Sequence, residues 1–172
     1  TSPAPHAHAS EEIRKYVNIP VATVARINEP WIAEELIANG KCDMCMIGRP
    51  NLCDSEFSNK AFEGKVDDIR PCIGCGRCLT GIMFGKRISC TVNPSVEDNT
   101  ITEADVKKNV LVIGGGPAGM EAAYVAKKRG HHVVLCEKSN ELGGQLRIAA
   151  VPIAKQELCR VVKFMKRRLD NE

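Results

Sequence analysis

Residues 109–119 read NVLVIGGGPAG, an apolar run that leads directly into a glycine-rich segment. A helical pattern follows over residues 120–129, and a second β-branched stretch over residues 132–136 ends at Glu137. Strand, glycine-rich turn, helix and strand in this order predict a parallel α/β unit with a G-x-G-x-x-G fingerprint for a dinucleotide. The flanking strand and helix make the signal specific, because the glycines alone would be weak.

Each glycine of this fingerprint has a predicted role. Gly114 makes the turn, Gly116 lets the backbone approach a pyrophosphate, and Gly119 allows close packing of helix and strand. The positive field at the helix N-terminus favours the pyrophosphate. Glu137 can accept hydrogen bonds from both ribose hydroxyls, and its charge would repel a 2′-phosphate.

A second glycine pair follows in residues 141–145, which read ELGGQ. Gly143 and Gly144 would let the chain approach an adenosine-side ligand closely, and a simple turn is the alternative. Residues 154–169 predict an amphipathic helix. We interpret its basic residues as a solvated face near a helix C-terminus: Lys163, Lys166, Arg167 and Arg168.

Four cysteines form the second feature of the chain. Residues 71–78 read PCIGCGRC, and Cys90 completes the spacing C-x2-C-x2-C-x11-C. Three thiolates on one turn and a fourth from another loop are typical of an iron–sulfur cluster. Gly74 and Gly76 let the turn fold back on itself. A zinc site with four thiolates and plain buried thiols are the alternatives. The other cysteines are interpreted as buried or incidental thiols: Cys42, Cys45, Cys53, Cys136 and Cys159.

The first third of the chain predicts a second parallel unit. We expect a helix capped by Ser10, a strand over 19–25 buried on both faces, a helix over 29–39 and a strand over 42–47. Short helices are expected over 54–64 and 79–87, and the polar stretch 96–105 predicts a linker.

Both strands of this first unit end in a small residue followed by an arginine, Ala25-Arg26 and Gly48-Arg49. Small residues free backbone N–H groups for an anion, and arginine adds a bidentate phosphate contact. Two solvated arginines are the simpler alternative. Their recurrence at equivalent strand ends favours a phosphate site.

The composition excludes several classes of function. The chain has 172 residues, of which 24 are basic and 21 acidic, a net charge of +3 that is too mild to predict nucleic-acid or anionic-membrane binding. No apolar stretch is long enough to span a membrane, and no signal-peptide pattern opens the sequence. Nine clustered cysteines indicate metal-type use and a cytoplasmic protein, not a disulfide framework.

Taken together, these motifs resemble one family. IPV and ARI, DMCMIGRP, IRPCIGC, CTVNP, IGGGPAG and ELGGQ occur in the order seen in the multidomain NADH:flavin oxidoreductases of the old yellow enzyme type. That family includes 2,4-dienoyl-CoA reductases, enoate reductases and trimethylamine dehydrogenases. The resemblance covers about Val17 to Leu158. The C-x2-C-x2-C run is similar to the amine dehydrogenases, whereas the x11 spacing and CTVNP are similar to the reductases.

The resemblance implies an α/β fold: the C-terminal end of a (β/α)8 FMN barrel (1–66), a 4Fe–4S cluster segment (67–95), a linker (96–106) and the start of a Rossmann-like FAD domain (107–172). It places the FMN phosphate on Ala25, Arg26, Gly48 and Arg49. It places the cluster on Cys72, Cys75, Cys78 and Cys90. It places the FAD on Gly114, Gly116, Ala118, Gly119, Glu137, Gly144 and Gln145. Many members have glycine at the position of Ala25, which we expect to be tolerable if φ there is negative.

The implied function is an ene-reductase in which electrons pass from NAD(P)H to FAD, the cluster, FMN and an activated C=C bond. An amine dehydrogenase segment and a non-catalytic electron-transfer subunit are the alternatives. A whole barrel takes roughly 250 residues, so we expect the catalytic residues to lie outside this sequence. The implied partners are a small unsaturated substrate and the remaining barrel and nicotinamide domains, in a longer chain or a partner subunit; a homo-oligomer is left open.

Overall fold

The computed structural model describes residues 2–97 and 100–171. The chain divides into two compact units, Thr1–Val96 and Glu97–Glu172. Residues 98 and 99 of the predicted linker lie outside the described part of the chain. Both units are mixed α/β structures. Within the described ranges, no helix combines the length and the apolar character that crossing a bilayer requires.

The first unit alternates helices with two short strands. Its elements are α1 (Ala7–Arg14), β1 (Ala22–Val24), α2 (Pro30–Ala38), β2 (Met44–Met46), α3 (Arg49–Cys53), α4 (Phe57–Phe62), a 3₁₀ turn (Val66–Asp68) and α5 (Arg77–Met83). The strands pair in parallel, as predicted, and the register places Thr23 opposite Cys45. Pro30 opens α2 at a position where its missing N–H has no helical partner. The hydrophobic core of this unit contains Ala7, Ile27, Ile32, Leu36 and Cys42.

Two sequence predictions for this unit are wrong. Ser10 does not cap α1 but lies inside it, where its hydroxyl donates to the Ala7 carbonyl at 2.9 Å. This i−3 bond satisfies the hydroxyl without ending the helix. The first strand is also not buried on both faces, because Thr23 is buried whereas Val24 is 47 % exposed. Among the described residues, other side chains pack only against the face of β1 that carries Thr23.

The second unit contains β3 (Asn109–Ile113), α6 (Pro117–Lys128), β4 (His132–Cys136), α7 (Gln145–Ala149), a 3₁₀ turn (Ile153–Lys155) and α8 (Glu157–Asp170). β3 and β4 pair in parallel from Asn109 opposite His132 to Ile113 opposite Cys136, which confirms the predicted strand–helix–strand unit. The sequence did not predict α7. Met120 and Ala123 of α6 are buried, as are Val161 and Val162 of α8.

Arg168 of α8 is not part of a solvated face, so that interpretation is wrong for this residue. Its side chain is 11 % exposed and forms an ion pair with Glu121 of α6. Its guanidinium also lies 3.7 Å from the centre of the Tyr124 ring. Arg168 therefore joins α8 to α6 by charge and by cation–π contact.

We expect Arg168→Met to lower the free energy of unfolding by about 3 kcal/mol, because it removes the ion pair between two largely buried side chains, Arg168 and Glu121. Urea denaturation followed by far-UV circular dichroism measures the change. Lys163→Met, at an exposed position of the same helix, is the control and should change the free energy by less than about 0.5 kcal/mol. Equal effects of the two substitutions would contradict this role of Arg168.

Candidate cofactor sites

The four predicted cluster cysteines line one cavity. Gly74 (φ +63°) and Gly76 (φ +76°) adopt left-handed conformations that reverse the chain, and Gly76 precedes α5. The lining of this cavity includes Cys72, Cys75, Cys78 and Cys90, together with Arg49 and Leu52 of α3 and the segment 91–92. The structure therefore brings all four cysteines together, including Cys90, which is 12 positions beyond Cys78.

The four sulfurs differ in their surroundings. Cys78 is buried, Cys72 and Cys90 are half-buried, and Cys75 is exposed. The Cys75 Sγ lies 3.2 Å from Thr91 Oγ1, which joins the cysteine turn to the segment that carries Cys90. Burial raises the pKa of Cys72, although the N–H of Gly74 donates to its sulfur and opposes that shift.

The surroundings of Cys90 favour its thiolate form. The Cys53 thiol donates a hydrogen bond to its sulfur, and the N–H groups of Val92 and Asn93 donate further hydrogen bonds. Together they lower the pKa of Cys90 to about 5, because each stabilises the charged form. The hydrogen bond to Cys90 and burial both raise the pKa of Cys53.

Cys53 is the residue that sequence reasoning missed. It is buried, as predicted, and only 1 % of its surface is exposed. No cluster spacing includes a cysteine so far before the C-x2-C-x2-C run, so motif analysis does not relate Cys53 to Cys90.

Asp54, directly after Cys53, connects α3 to the cysteine segments. Its largely buried carboxylate accepts hydrogen bonds from the Arg70 N–H and from Lys60 Nζ, both at 2.7 Å. Arg70 Nη1 in turn donates to the Val92 carbonyl at 2.8 Å. The end of α3 is thereby tied to the residue two before Cys72 and to the residue two after Cys90.

The donor set can be compared with the needs of a single metal ion and of a cluster. Among residues 2–97 and 100–171, no three histidine, cysteine or acidic side chains lie close enough together to hold one metal ion. A zinc ion needs its thiolates at about 2.3 Å from one point. In a cube-shaped cluster each cysteine binds a different iron, so the sulfurs are spread around a larger volume. Four thiols around one cavity fit the cluster.

The two predicted phosphate arginines lie beside the cysteine turn. A methyl group placed on Gly74 would lie 3.7 Å from Cζ of Arg26 and 3.6 Å from Nδ2 of Asn28. Arg49 begins α3, is preceded by Gly48 and belongs to the lining of the cysteine cavity. The ends of β1 and β2 therefore both lead to the neighbourhood of the cysteines.

The backbone at the end of β1 is strained. Ala25 (φ +84°) and Arg26 (φ +49°) both have left-handed conformations, so the condition under which we expected alanine to be tolerable at position 25, a negative φ, is not met. Two buried polar atoms nearby, Thr23 Oγ1 and Asn28 Oδ1, have no hydrogen-bond partner among the described residues. Buried polar atoms without a hydrogen-bond partner are energetically costly.

We expect Ala25→Gly to raise the free energy of unfolding by about 1 kcal/mol, because glycine adopts a positive φ without steric cost. Ala22→Gly, within β1, should instead lower it by roughly 0.5–1 kcal/mol, because glycine loses more backbone entropy on folding. Thermal or urea unfolding of the two variants gives the comparison. A loss of stability in both variants would show that Ala25 is not strained.

The glycine fingerprint surrounds the N-terminus of α6. Gly114 has φ +104°, and its N–H donates to the Cys136 carbonyl at 2.7 Å. Gly116 is the residue before α6, and no atom lies within 4 Å of the position that a Cβ there would take. A Cβ on Gly119 would lie 1.9 Å from the Gly114 carbonyl oxygen. This closeness agrees with the packing role predicted for Gly119, and Ala118 lies in the same first turn of α6.

The second glycine pair packs directly against the fingerprint. The Gly143 N–H donates to the Gly115 carbonyl at 2.7 Å. A Cβ on Gly144 would lie 3.1 Å from the Cα of Gly116. Both residues have positive φ, and Gln145 then opens α7. The pair is therefore more than a simple turn, since it forms one surface with the first glycine segment.

Glu137 is held against the same surface. Its Oε2 accepts from the Gly115 N–H at 2.6 Å, and its Oε1 accepts from the Ser139 N–H at 2.9 Å. The hydrogen bond from Ser139, followed by that from Gly115, keeps the pKa of this carboxyl below its usual range. Each oxygen has further lone pairs, so the carboxylate remains able to accept hydroxyl donors.

Comparison with known proteins relates these sites to flavoenzymes. The family model described as FAD dependent oxidoreductase matches residues 109–167. The chain is 48 % identical to the NADH oxidase of Thermoanaerobacter brockii over 88 % of its length and 24 % of that protein. It is 45 % identical to the bilirubin reductase of Mediterraneibacter gnavus (strain CC55_001C) over 91 % of its length and 25 % of that protein.

Solved structures include a similar fold. The histamine dehydrogenase of Rhizobium sp. 4-9 superposes with a TM-score of 0.91 at 29 % sequence identity, over all of this chain and 26 % of that one. The chain thus spans about a quarter of the length of the proteins it matches. These proteins are oxidoreductases by name.

Proposed function

Because this chain belongs to the multidomain NADH:flavin oxidoreductase family, we propose that it is a segment of an NAD(P)H-dependent flavin and iron–sulfur enzyme that reduces an activated C=C bond. The observation that carries the proposal is the cavity that all four motif cysteines line. Cluster and flavin chemistry in one chain is typical of enzymes that exchange electrons between a two-electron donor and one-electron carriers.

We assign residues 1–66 to the C-terminal end of an FMN barrel, 67–95 to the cluster segment, 96–106 to a linker and 107–172 to the start of a Rossmann-like FAD domain. Parallel pairing of β1 with β2 and of β3 with β4 supports the first and last assignments. The histamine dehydrogenase structure resembles this chain over its whole length, which supports the order of these four segments.

A 4Fe–4S cluster would be held by Cys72, Cys75, Cys78 and Cys90. Three observations support this ligand set: the shared cavity, the positive-φ glycines that shape the turn, and the backbone N–H groups that donate to Cys72 and Cys90. When bound, the cluster supplies one-electron transfer. The chain's own contribution is to fix four thiolates and to surround them with hydrogen-bond donors.

FAD would lie on the surface made by the two glycine segments. Open space at Gly116 leaves room for a pyrophosphate at the N-terminus of α6, where backbone N–H groups face an anion. Glu137, at the edge of this surface, would accept the ribose hydroxyls. The remaining residues assigned to this site are Gly114, Ala118, Gly119, Gly144 and Gln145. Bound FAD supplies two-electron chemistry with a nicotinamide donor.

The FMN phosphate would lie at the ends of β1 and β2, on Ala25, Arg26, Gly48 and Arg49. The strained left-handed backbone at Ala25 and Arg26 supports this assignment, since strain of this kind clusters at ligand sites. The unpartnered buried oxygens of Thr23 and Asn28 support it too, as positions that a ligand would satisfy.

Reduction of a C=C bond is favoured over amine oxidation by the sequence identities. Identity is 45 % with a bilirubin reductase and 40 % with a cinnamate reductase, against 34 % with a dimethylamine dehydrogenase and 29 % with a histamine dehydrogenase. The C-x2-C-x2-C spacing favours the second candidate, an amine dehydrogenase. The substrate would be a small unsaturated molecule, and the rest of the barrel and a nicotinamide domain would belong to a longer chain or a partner subunit in the cytoplasm.

The test uses the protein purified anaerobically from its own source. NADH and NADPH oxidation is measured with an α,β-unsaturated acid or thioester as acceptor, and a methylated or primary amine is supplied in parallel with an artificial electron acceptor. We expect oxidation of the nicotinamide that depends on the unsaturated compound. Amine-dependent reduction of the acceptor without nicotinamide oxidation would favour the second candidate. The absence of both activities would overturn both candidate functions.

A further inference from the structure

Asn28 is a buried asparagine in the segment that follows β1. Only 6 % of its surface is exposed. Its Oδ1 is buried and forms no hydrogen bond with any residue that the structure describes. Because a buried amide oxygen without a donor destabilises a fold, native structures retain few of them, and the presence of this one needs an explanation.

The surroundings of Asn28 belong to the proposed FMN phosphate site. Ala25 and Arg26, just before it, have positive φ, a form of strain that clusters at ligand sites. A methyl group placed on Gly74 would lie 3.6 Å from Asn28 Nδ2 and 3.7 Å from Arg26 Cζ, so both side chains lie against the same glycine. The amide nitrogen therefore faces the cysteine turn beside a guanidinium assigned to the phosphate, and the oxygen on the same carbon is the unpartnered atom.

The chemistry of this oxygen identifies the kind of group that would satisfy it. An amide oxygen can only accept, so its partner must be a hydrogen-bond donor. A phosphate monoester carries a charge of about −1.5 to −2 at pH 7 and presents acceptor oxygens, so it does not match. The ribityl chain that bears the phosphate in FMN carries hydroxyl groups, which can donate. Arg26 and Arg49 are suited to the phosphate instead, because guanidinium groups only donate.

We propose that Asn28 is a binding residue for the ribityl chain of FMN, and that a ribityl hydroxyl donates a hydrogen bond to Asn28 Oδ1. This inference rests on the proposed function, which places FMN at the ends of β1 and β2. The unpartnered oxygen destabilises the flavin-free protein, and bound FMN removes that penalty. Asn28 therefore weakens the empty fold and strengthens flavin binding, whereas an asparagine with a purely structural role would stabilise the empty fold.

The first measurement is the melting temperature of the full-length protein after removal of its flavins. Asn28→Leu replaces the amide with an apolar group of the same branching. We expect the melting temperature to rise by about 1–3 °C, because an unpartnered polar atom is removed. Asn93→Leu is the matched control, since Asn93 is only 3 % exposed but its Oδ1 accepts the Ser95 N–H at 3.0 Å. That substitution should lower the melting temperature, because it removes a hydrogen bond that the fold makes.

The second measurement compares the affinity of the same protein, resupplied with FAD, for three flavins by quenching of their fluorescence. FMN has a ribityl chain and a phosphate, riboflavin has the ribityl chain alone, and lumiflavin has neither. We expect Asn28→Leu to weaken FMN and riboflavin by the same factor, about tenfold, and to leave lumiflavin unchanged. Arg49→Met should weaken FMN alone, because only FMN carries the phosphate that a guanidinium would bind.

The outcomes separate this inference from the proposed function. Wild-type protein that binds no FMN would overturn the proposed function itself. If FMN binds, a lower melting temperature of flavin-free Asn28→Leu would mean that another part of a longer chain supplies the donor, and it would overturn the role of Asn28 alone. An affinity loss confined to FMN would make Asn28 a phosphate contact and would also overturn it. If Asn28→Leu does not fold, Asn28→Ala provides the affinity comparison, and unchanged riboflavin affinity would overturn the proposal.

Discussion

Gly119→Ala is expected to lower the free energy of unfolding of the second unit by about 3 kcal/mol or more, at the upper end of overpacking effects. The added methyl carbon would lie 1.9 Å from the Gly114 carbonyl oxygen and 3.4 Å from Cγ1 of Val112. The nearest atom is backbone, so no side chain can rotate away to relieve the contact. The strand β3 and the helix α6 would have to separate, and urea denaturation followed by circular dichroism measures the cost.

Gly116→Ala is the matched control for this substitution. A Cβ at Gly116 meets no atom within 4 Å, and its φ of −73° suits any residue. Stability should therefore change by less than about 1 kcal/mol, in line with an unstrained Gly→Ala substitution. FAD affinity should nevertheless fall by at least about tenfold, because the methyl group occupies the space proposed for the pyrophosphate. A Gly119→Ala protein as stable as the wild type, or unchanged FAD binding by Gly116→Ala, would contradict this assignment.

Cys75→Ser is expected to reduce the iron and acid-labile sulfide of the holoenzyme from a full cluster to background. Serine replaces a thiolate that the cluster requires, whereas Cys75 is exposed and contributes little to packing. The melting temperature of the metal-free variant should therefore equal that of metal-free wild type within about 1–2 °C. Colorimetric iron and sulfide assays, with a flavin assay beside them, measure the result.

Cys159→Ser controls for a general effect of losing one cysteine. Cys159 is also exposed but lies in α8, outside the cysteine cavity. It should keep a full complement of iron and sulfide, and both variants should keep FAD because the glycine segments are untouched. Full iron content in Cys75→Ser would remove Cys75 from the ligand set.

The parts of the fold predicted from sequence are those set by neighbours along the chain. β3, the glycine turn, α6 and β4 follow one another within residues 109–136, and their periodicity and turn residues indicate each element. Parallel pairing then follows from the helical connection between the strands. The cysteine turn could also be predicted from the sequence, because three of the four motif cysteines and both glycines lie in one short segment.

What the sequence did not predict depends on contacts between distant residues. The sequence analysis placed Arg168 with the other basic residues of a solvated helix face, because its partner Glu121 is 47 residues away in the sequence. Cys53 has no motif spacing to reveal that α3 places it against Cys90. The positive φ of Ala25 is set by the path of the chain after β1, because alanine itself disfavours that conformation.

The most direct test of the account is anaerobic native mass spectrometry of the protein purified from its own source. The central claim is that one protein containing this sequence binds a 4Fe–4S cluster and FAD at the sites described, with FMN beside the cluster. We predict bound masses that correspond to one cluster, one FAD and one FMN, with the cluster mass absent from Cys75→Ser. A zinc mass in place of the cluster, or a protein without flavin, would contradict the account.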